Sequence, residues 1–146
     1  MKVKDILREK GSAVRTIGPD AFISDAIQEL NKHKIGALLV VDEAGTILGI
    51  LTERDILRVC ETQALRLGQI PVRREMTKDL LIGLPDDDLN YVMNIMTQKR
   101  IRHVPVVSEG RLAGLVSIGD VTKARLEQAE LEVRHLYDYI TGKYPG

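Results

Sequence analysis

Aromatic side chains are nearly missing from this chain: no tryptophan, one phenylalanine (Phe22) and four tyrosines stand among 146 residues. Single-stranded nucleic acid is held on platforms of several aromatic faces, so that function class starts without its main instrument. Charge of one sign is missing too, since 21 Lys plus Arg balance 21 Asp plus Glu. A chain without a net field is not drawn onto nucleic acid or an anionic membrane, although a local basic patch can still hold a phosphate. The lone cysteine, Cys60, excludes an internal disulfide and fits a reducing compartment, so a cytoplasmic location is expected. The longest uncharged apolar run, Ile35 to Val41, is far too short to span a bilayer. The N-terminal MKVKDILREK carries charges where a signal peptide needs its apolar stretch. Catalytic signatures are lacking as well: there is no HExxH, no paired CxxC, no Walker loop and no evident Ser-His-Asp set. An enzyme is not expected.

What the chain does have is a repeat. Residues Pro19 to Glu43 lie over Pro85 to Glu109 at a constant offset of 66. Identities include Pro19/Pro85, Asp20/Asp86, Ile35/Ile101, Val40/Val106 and Val41/Val107. After a one-residue deletion the offset becomes 65 and pairs Gly45/Gly110, Gly49/Gly114 and Asp55/Asp120. Hydrophobic periodicity alone does not align Pro-Asp, Gly and Asp together, so the match reads as a duplication.

Each copy predicts helix, strand, strand, helix. Pro19-Asp20 suits the first turn of a helix whose apolar face is Ile23, Ala26, Ile27 and Leu30; Leu89, Val92, Met93 and Met96 make the same face in the second copy. The runs Ala37 to Val41 and Val104 to Val107 fit buried strands. Turns at Asp42-Glu43-Ala44-Gly45 and Ser108-Glu109-Gly110-Arg111 lead to returning strands at Ile47 to Leu51 and Leu112 to Val116. A second helix opens at Thr52 or Ser117, each an N-cap residue with Asp three positions on. A long helix from Val121 to Thr141 follows, in which Leu126, Ala129, Val133, Leu136 and Ile140 make a heptad-like seam. That seam covers the chain's own surface or meets another chain; Thr141-Gly142 and Pro145-Gly146 end it.

The twin motifs Gly49-Ile-Leu-Thr52-Glu-Arg-Asp55 and Gly114-Leu-Val-Ser117-Ile-Gly-Asp120, with Arg102-His103-Val104-Pro105 before the second, resemble a tandem pair of CBS domains, the regulatory Bateman module. The resemblance covers nearly everything from Val3 to about Arg125. It implies a mixed α/β fold of two pseudo-symmetric CBS units packed through their sheets, with an added C-terminal helix. The units are expected at residues 1–68 and 69–125, with 126–146 as helix and tail. It also implies clefts between the units that bind adenosine-containing ligands: AMP foremost, then ADP, ATP, NAD(H) or an S-adenosyl compound. The repeat and one extra helix account for the whole length, so a stand-alone regulatory module without an effector domain is expected. Its partners would be the nucleotide, a second copy in a homodimer and an unidentified protein target, with no nucleic acid and no membrane.

The candidate binding residues follow from chemistry and from that likeness. Asp55 and Asp120, one turn into a helix, can accept the hydroxyls of a ribose. Thr52 and Ser117 stand beside free N–H groups and the positive helix end, which suits a phosphate. The plainer alternative makes each Thr/Ser–Asp pair a capping box and nothing more. In the family, positions Arg102 and His103 often face the phosphates; their first-copy equivalents, Gly36 and Ala37, carry no charge. Unequal sites are therefore expected, with the stronger phosphate grip near Ser117 and Asp120. Arg54 is a substitute cation for the first copy or a plain surface arginine. The likeness also places Thr16-Ile17 and Ile82-Gly83 beside the adenine. Remaining candidates read as structural: His33 solvated at a helix end, His135 without a ligand-spaced partner, Cys60 packed on a helix over Ile56 to Leu67, and Asp86-Asp87-Asp88 as helix-start acids rather than metal ligands.

Overall fold

The computed structural model describes residues 1–11 and 13–142 and divides them into two compact units. One unit is Ala13–Leu81; the other joins residues 1–11 to residues 82–142. The expected end of the tail at Pro145-Gly146 lies outside the described residues.

The first-copy unit runs β1 (Thr16–Ile17), α2 (Ile23–His33), β2 (Ala37–Val41), β3 (Ile47–Thr52), α3 (Glu53–Gln63), a 3-10 turn at Ala64–Arg66 and a short α4 (Val72–Glu75). Its sheet has the order β1-β2-β3, with β1 parallel to β2 and β2 antiparallel to β3. Ile23, Ala26 and Leu30 of α2 pack on Leu38, Val40 and Leu51 of the sheet, on Val59 of α3, and on Val72 of α4. The second-copy unit contains α1 (Val3–Lys10), α5 (Leu89–Lys99), β4 (His103–Ser108), β5 (Arg111–Ser117) and α6 (Ile118–Ile140). Val3 and Ile6 join Leu89, Val92, Met96, Val104, Val106, Val116 and Val121 in its core.

Corresponding backbone details confirm the duplication. Both hairpins carry a register shift at the same place, between Val40 and Val41 and between Val106 and Val107. Both first helices end on a left-handed cation, Lys34 at φ 54° and Arg100 at φ 55°. Ile17 pairs with Val40 and Gly83 with Val106, so a parallel edge recurs, as a two-residue strand in one copy and a single bridge in the other. The one-residue deletion falls in the hairpin turn: Glu109 and Gly110, both at positive φ, form a tight two-residue connection, while the first copy closes from Asp42 to Thr46.

One expectation changes in detail. Pro19-Asp20 and Pro85-Asp86 do not open the helices; α2 begins at Ile23 and α5 at Leu89, and the Pro-Asp pairs lie in the turns ahead. Their role is visible in the hydrogen bonds. Lys4 N–H donates to the Pro85 carbonyl at 2.9 Å and Arg73 N–H to that of Pro19 at 3.0 Å, while Asp86 pairs with Lys4 and Asp20 with Arg73. The packing units cross the boundaries drawn from the repeat. Residues 1–11 go with the second copy, and residues 69–81 stay with the first. In each unit one short helix fills the same place: Val3 N–H donates to Asp87 O as Val72 N–H donates to Ala21 O. Helices of eight and four residues are not stable alone. Burial of Val3, Ile6 and Val72 on the core holds them.

Candidate functional site

The strand-to-helix turns are built alike in both copies. His103 opposes Ser117 across the β4–β5 ladder, and Ala37 opposes Thr52 across β2–β3. The residue before each pair receives the first helix amide: Ile118 N–H donates to Arg102 O at 2.8 Å, and Glu53 N–H to Gly36 O at 3.1 Å. Arg102, His103, Ser117 and Asp120 therefore share one corner of the second-copy unit. Gly36, Ala37, Thr52 and Asp55 share the equivalent corner of the first. Arg102 is exposed and His103 half-buried, while Ala37 is buried and Gly36 half-buried.

Both Thr/Ser–Asp pairs are reciprocal capping boxes. Asp120 N–H donates to Ser117 Oγ at 3.1 Å and Ser117 N–H to Asp120 Oδ2 at 2.9 Å; Thr52 and Asp55 repeat the pattern at 3.3 and 2.9 Å. The aspartates then diverge. Asp55 is buried, 3% exposed, and also accepts from Arg58 Nη2 at 2.7 Å, Thr52 Oγ1 at 3.1 Å and Thr77 Oγ1 at 3.2 Å. Asp120 keeps 24% of its side chain exposed and takes Lys10 Nζ on Oδ2 at 2.7 Å. The same ammonium donates to the Leu115 carbonyl at 2.8 Å, which ties the end of α1 to β5 and α6. Partial burial pushes the Asp120 carboxyl up, but the Lys10 ammonium and the Ser117 donors outweigh it and hold the group below the usual carboxylate range.

Thr16 and Ile17 run along β2 opposite Leu39 and Val40, on the edge away from β3, so β2 separates them from Thr52 and Asp55. Ile82 is exposed, next to the bridging Gly83. Three contacts were missed by the sequence reading: Lys10, Thr77 and Arg58. Arg58 stands three residues after Asp55 on α3 and was open to local inspection; Lys10 lies 110 positions from Asp120, and no local pattern joins them.

The signature glycines have a steric reason. A Cβ on Gly49 would stand 2.7 Å from the Thr77 carbonyl oxygen, and one on Gly114 would stand 2.6 Å from Leu7 Cδ2. Each glycine lets the segment from the short helix approach its hairpin, and Thr77 takes advantage of this by exchanging both backbone hydrogen bonds with Ile50 at 2.9 Å.

Other candidates resolve simply. His33 is not solvated as expected; its side chain is 19% exposed and Nε2 lies 3.2 Å from Glu29. Cys60 is half-buried and lines an open groove of about 540 Å³ between α2 and α3, which holds none of the sequence-predicted binding residues. Among the described residues no group of three His, Cys, Asp or Glu side chains is placed to hold a metal, and no helix is long and apolar enough to cross a membrane.

Two similarly built units make this chain a domain pair. The CBS domain family matches residues 3–62 and 68–127, and the chain belongs to that family. A CBS-domain protein of Agrobacterium tumefaciens, ATU1752, superposes with a TM-score of 0.83 at 46% identity, over 86% of this chain and 99% of that one. The CBS domain pair of MJ0100, solved with 5′-methylthioadenosine and S-adenosyl-L-methionine, gives 0.78 at 28% identity over 88% and 98%. CBSX2, solved with AMP, gives 0.72 at 25% identity over 88% and 98%.

Proposed function

We propose that this chain is a non-enzymatic regulatory module that binds an adenine nucleotide, AMP first among them, and passes the signal to a protein target in the cytoplasm as a homodimer. The observation that carries the reading is the second-copy corner. There a carboxylate one-quarter exposed, Asp120, stands at a helix start beside Ser117, with the exposed Arg102 and half-buried His103 opposite. Ribose needs a carboxylate acceptor, and phosphate needs a cation at the positive end of a helix. Both are present in one corner. The adenosine ligands solved with MJ0100 and CBSX2 support the same ligand class, and an S-adenosyl compound or NAD(H) is the alternative within it.

The first copy supports a different role. Asp55 is buried and fully engaged by Thr52, Arg58 and Thr77, so its turn serves the fold, and with the uncharged Gly36 and Ala37 beside it this corner is the weaker site. A ligand switches output only if it prefers one conformation. Lys10 is the contact such a ligand must meet, because it already occupies the Asp120 oxygen.

Calorimetry with AMP and adenosine on Arg102→Ala and Asp120→Ala tests the residue roles. Loss of Arg102 should weaken AMP about tenfold or more, the size of a charged hydrogen bond, and leave adenosine unchanged. Loss of Asp120 should weaken both ligands. Equal weakening of AMP and adenosine in Arg102→Ala overturns its phosphate role.

A further inference from the structure

Only Val121 and Ala124 of α6 are buried, both near its start. The remainder, Leu126 to Ile140, carries a row of large apolar side chains in the open: Leu126 is 59% exposed, Val133 67%, Leu136 61% and Ile140 73%. At about 100° per residue, Val133 lies about 180° around the helix from Ala124 and Leu126 about 200°, so the row faces away from the chain's own core. With Ala129, these residues occupy the a and d positions of two heptads, a length of about 21 Å.

We infer that this row is the seam of a parallel, in-register two-stranded coiled coil with a second copy of the chain. The inference rests on the proposed self-association and specifies its surface. Charge selects both the occupant and the direction. With Leu126 at a, Arg125 is a g position, half-buried with Nη1 2.8 Å from Gln128 Oε1, and Glu130 is the e position that follows, so a parallel second copy brings the Arg125 guanidinium against Glu130 twice, once on each side of the seam. An antiparallel copy that sets Leu126 against Leu136 and Ala129 against Val133 brings Glu130 onto Glu130 and Glu132 onto Glu132. Like charges at those flanks disfavour it. The row is therefore self-complementary in one orientation, as an isologous twofold contact requires.

Cysteine cross-linking in a Cys60→Ser background tests the geometry, with analytical ultracentrifugation alongside. Val133→Cys places one thiol at an a position against its own copy; it should form a disulfide-linked dimer almost completely under mild oxidation, while Glu127→Cys, on the outer face, should not. Glu130→Lys should weaken the dimer about tenfold through two lost pairs and two new repulsions, and Arg125→Glu added to it should recover most of that loss. A monomer at every concentration defeats the self-association itself. A dimer in which Val133→Cys fails to link, or in which Leu126→Cys links to Leu136→Cys instead, defeats the parallel seam. A dimer unchanged by Val133→Lys with Leu136→Lys, folded by circular dichroism, places association on another face and overturns the inference.

Discussion

Asp55 and Asp120 occupy the same place in the repeat, yet their surroundings predict very different costs of removal. Asp55→Ala deletes a carboxylate that is 3% exposed and accepts from the Thr52 amide, Thr52 Oγ1, Arg58 and Thr77. Loss of the cap alone costs about 1 kcal/mol. A charge-assisted bond such as that from Arg58 adds about 1.5–3 kcal/mol where it is shielded, and less here because the Arg58 side chain is 60% exposed and regains water. The Thr77 contact and the small cavity left behind bring the sum to about 3 kcal/mol. Asp120→Ala removes a similar cap and one partly exposed ion pair, about 1.5 kcal/mol together. For a chain of this size 1 kcal/mol moves Tm by about 2–4 °C, so Asp55→Ala should melt about 6–12 °C below wild type and Asp120→Ala about half as far. Differential scanning calorimetry of the ligand-free proteins reads both. Equal shifts, or a larger one for Asp120→Ala, would refute the claim that the first copy's aspartate is chiefly a structural residue.

Three further outcomes follow from contacts. Gly49→Ala should cost about 2–3 kcal/mol because its new Cβ meets the Thr77 backbone carbonyl, whereas Gly114→Ala should cost about 1 kcal/mol because only the flexible end of Leu7 must move; urea melts compare them. Lys10→Met should destabilise by about 1 kcal/mol at pH 7. Since Lys10 helps hold the Asp120 pKa below its unfolded value of about 3.9, that contribution is full above this pH and disappears as pH falls through the folded-state pKa. The gap between wild type and variant should therefore narrow as pH falls through that pKa, leaving the share of the Lys10–Leu115 carbonyl bond, and a gap of constant size contradicts the ion pair as its main cause.

The parts of the fold carried by local periodicity were readable in advance. The α2 and α5 faces, the hairpins and the Thr52 and Ser117 caps sit where apolar spacing and N-cap chemistry put them. The short helices α1 and α4 were not, because segments this small owe their helicity to the core they pack on, and nothing in Val3 to Lys10 says that its core lies eighty residues on. The same reason hid Lys10 and Thr77 from the site: one reaches Asp120 and the other Asp55 through tertiary contacts alone. Repeated Pro-Asp pairs were recognised but misplaced, because Asp at a helix start and Asp in the preceding turn leave the same trace in sequence; the ion pairs to Lys4 and Arg73 settle the turn.

Titration of AMP into protein shown by mass spectrometry to carry no ligand, followed by calorimetry and by melting, tests nucleotide binding most directly. The account predicts a saturable site and, at 100 times Kd, a stabilisation of about 2.7 kcal/mol. No heat of binding and unchanged melting across AMP, ADP, ATP, NAD(H) and S-adenosylmethionine would contradict it.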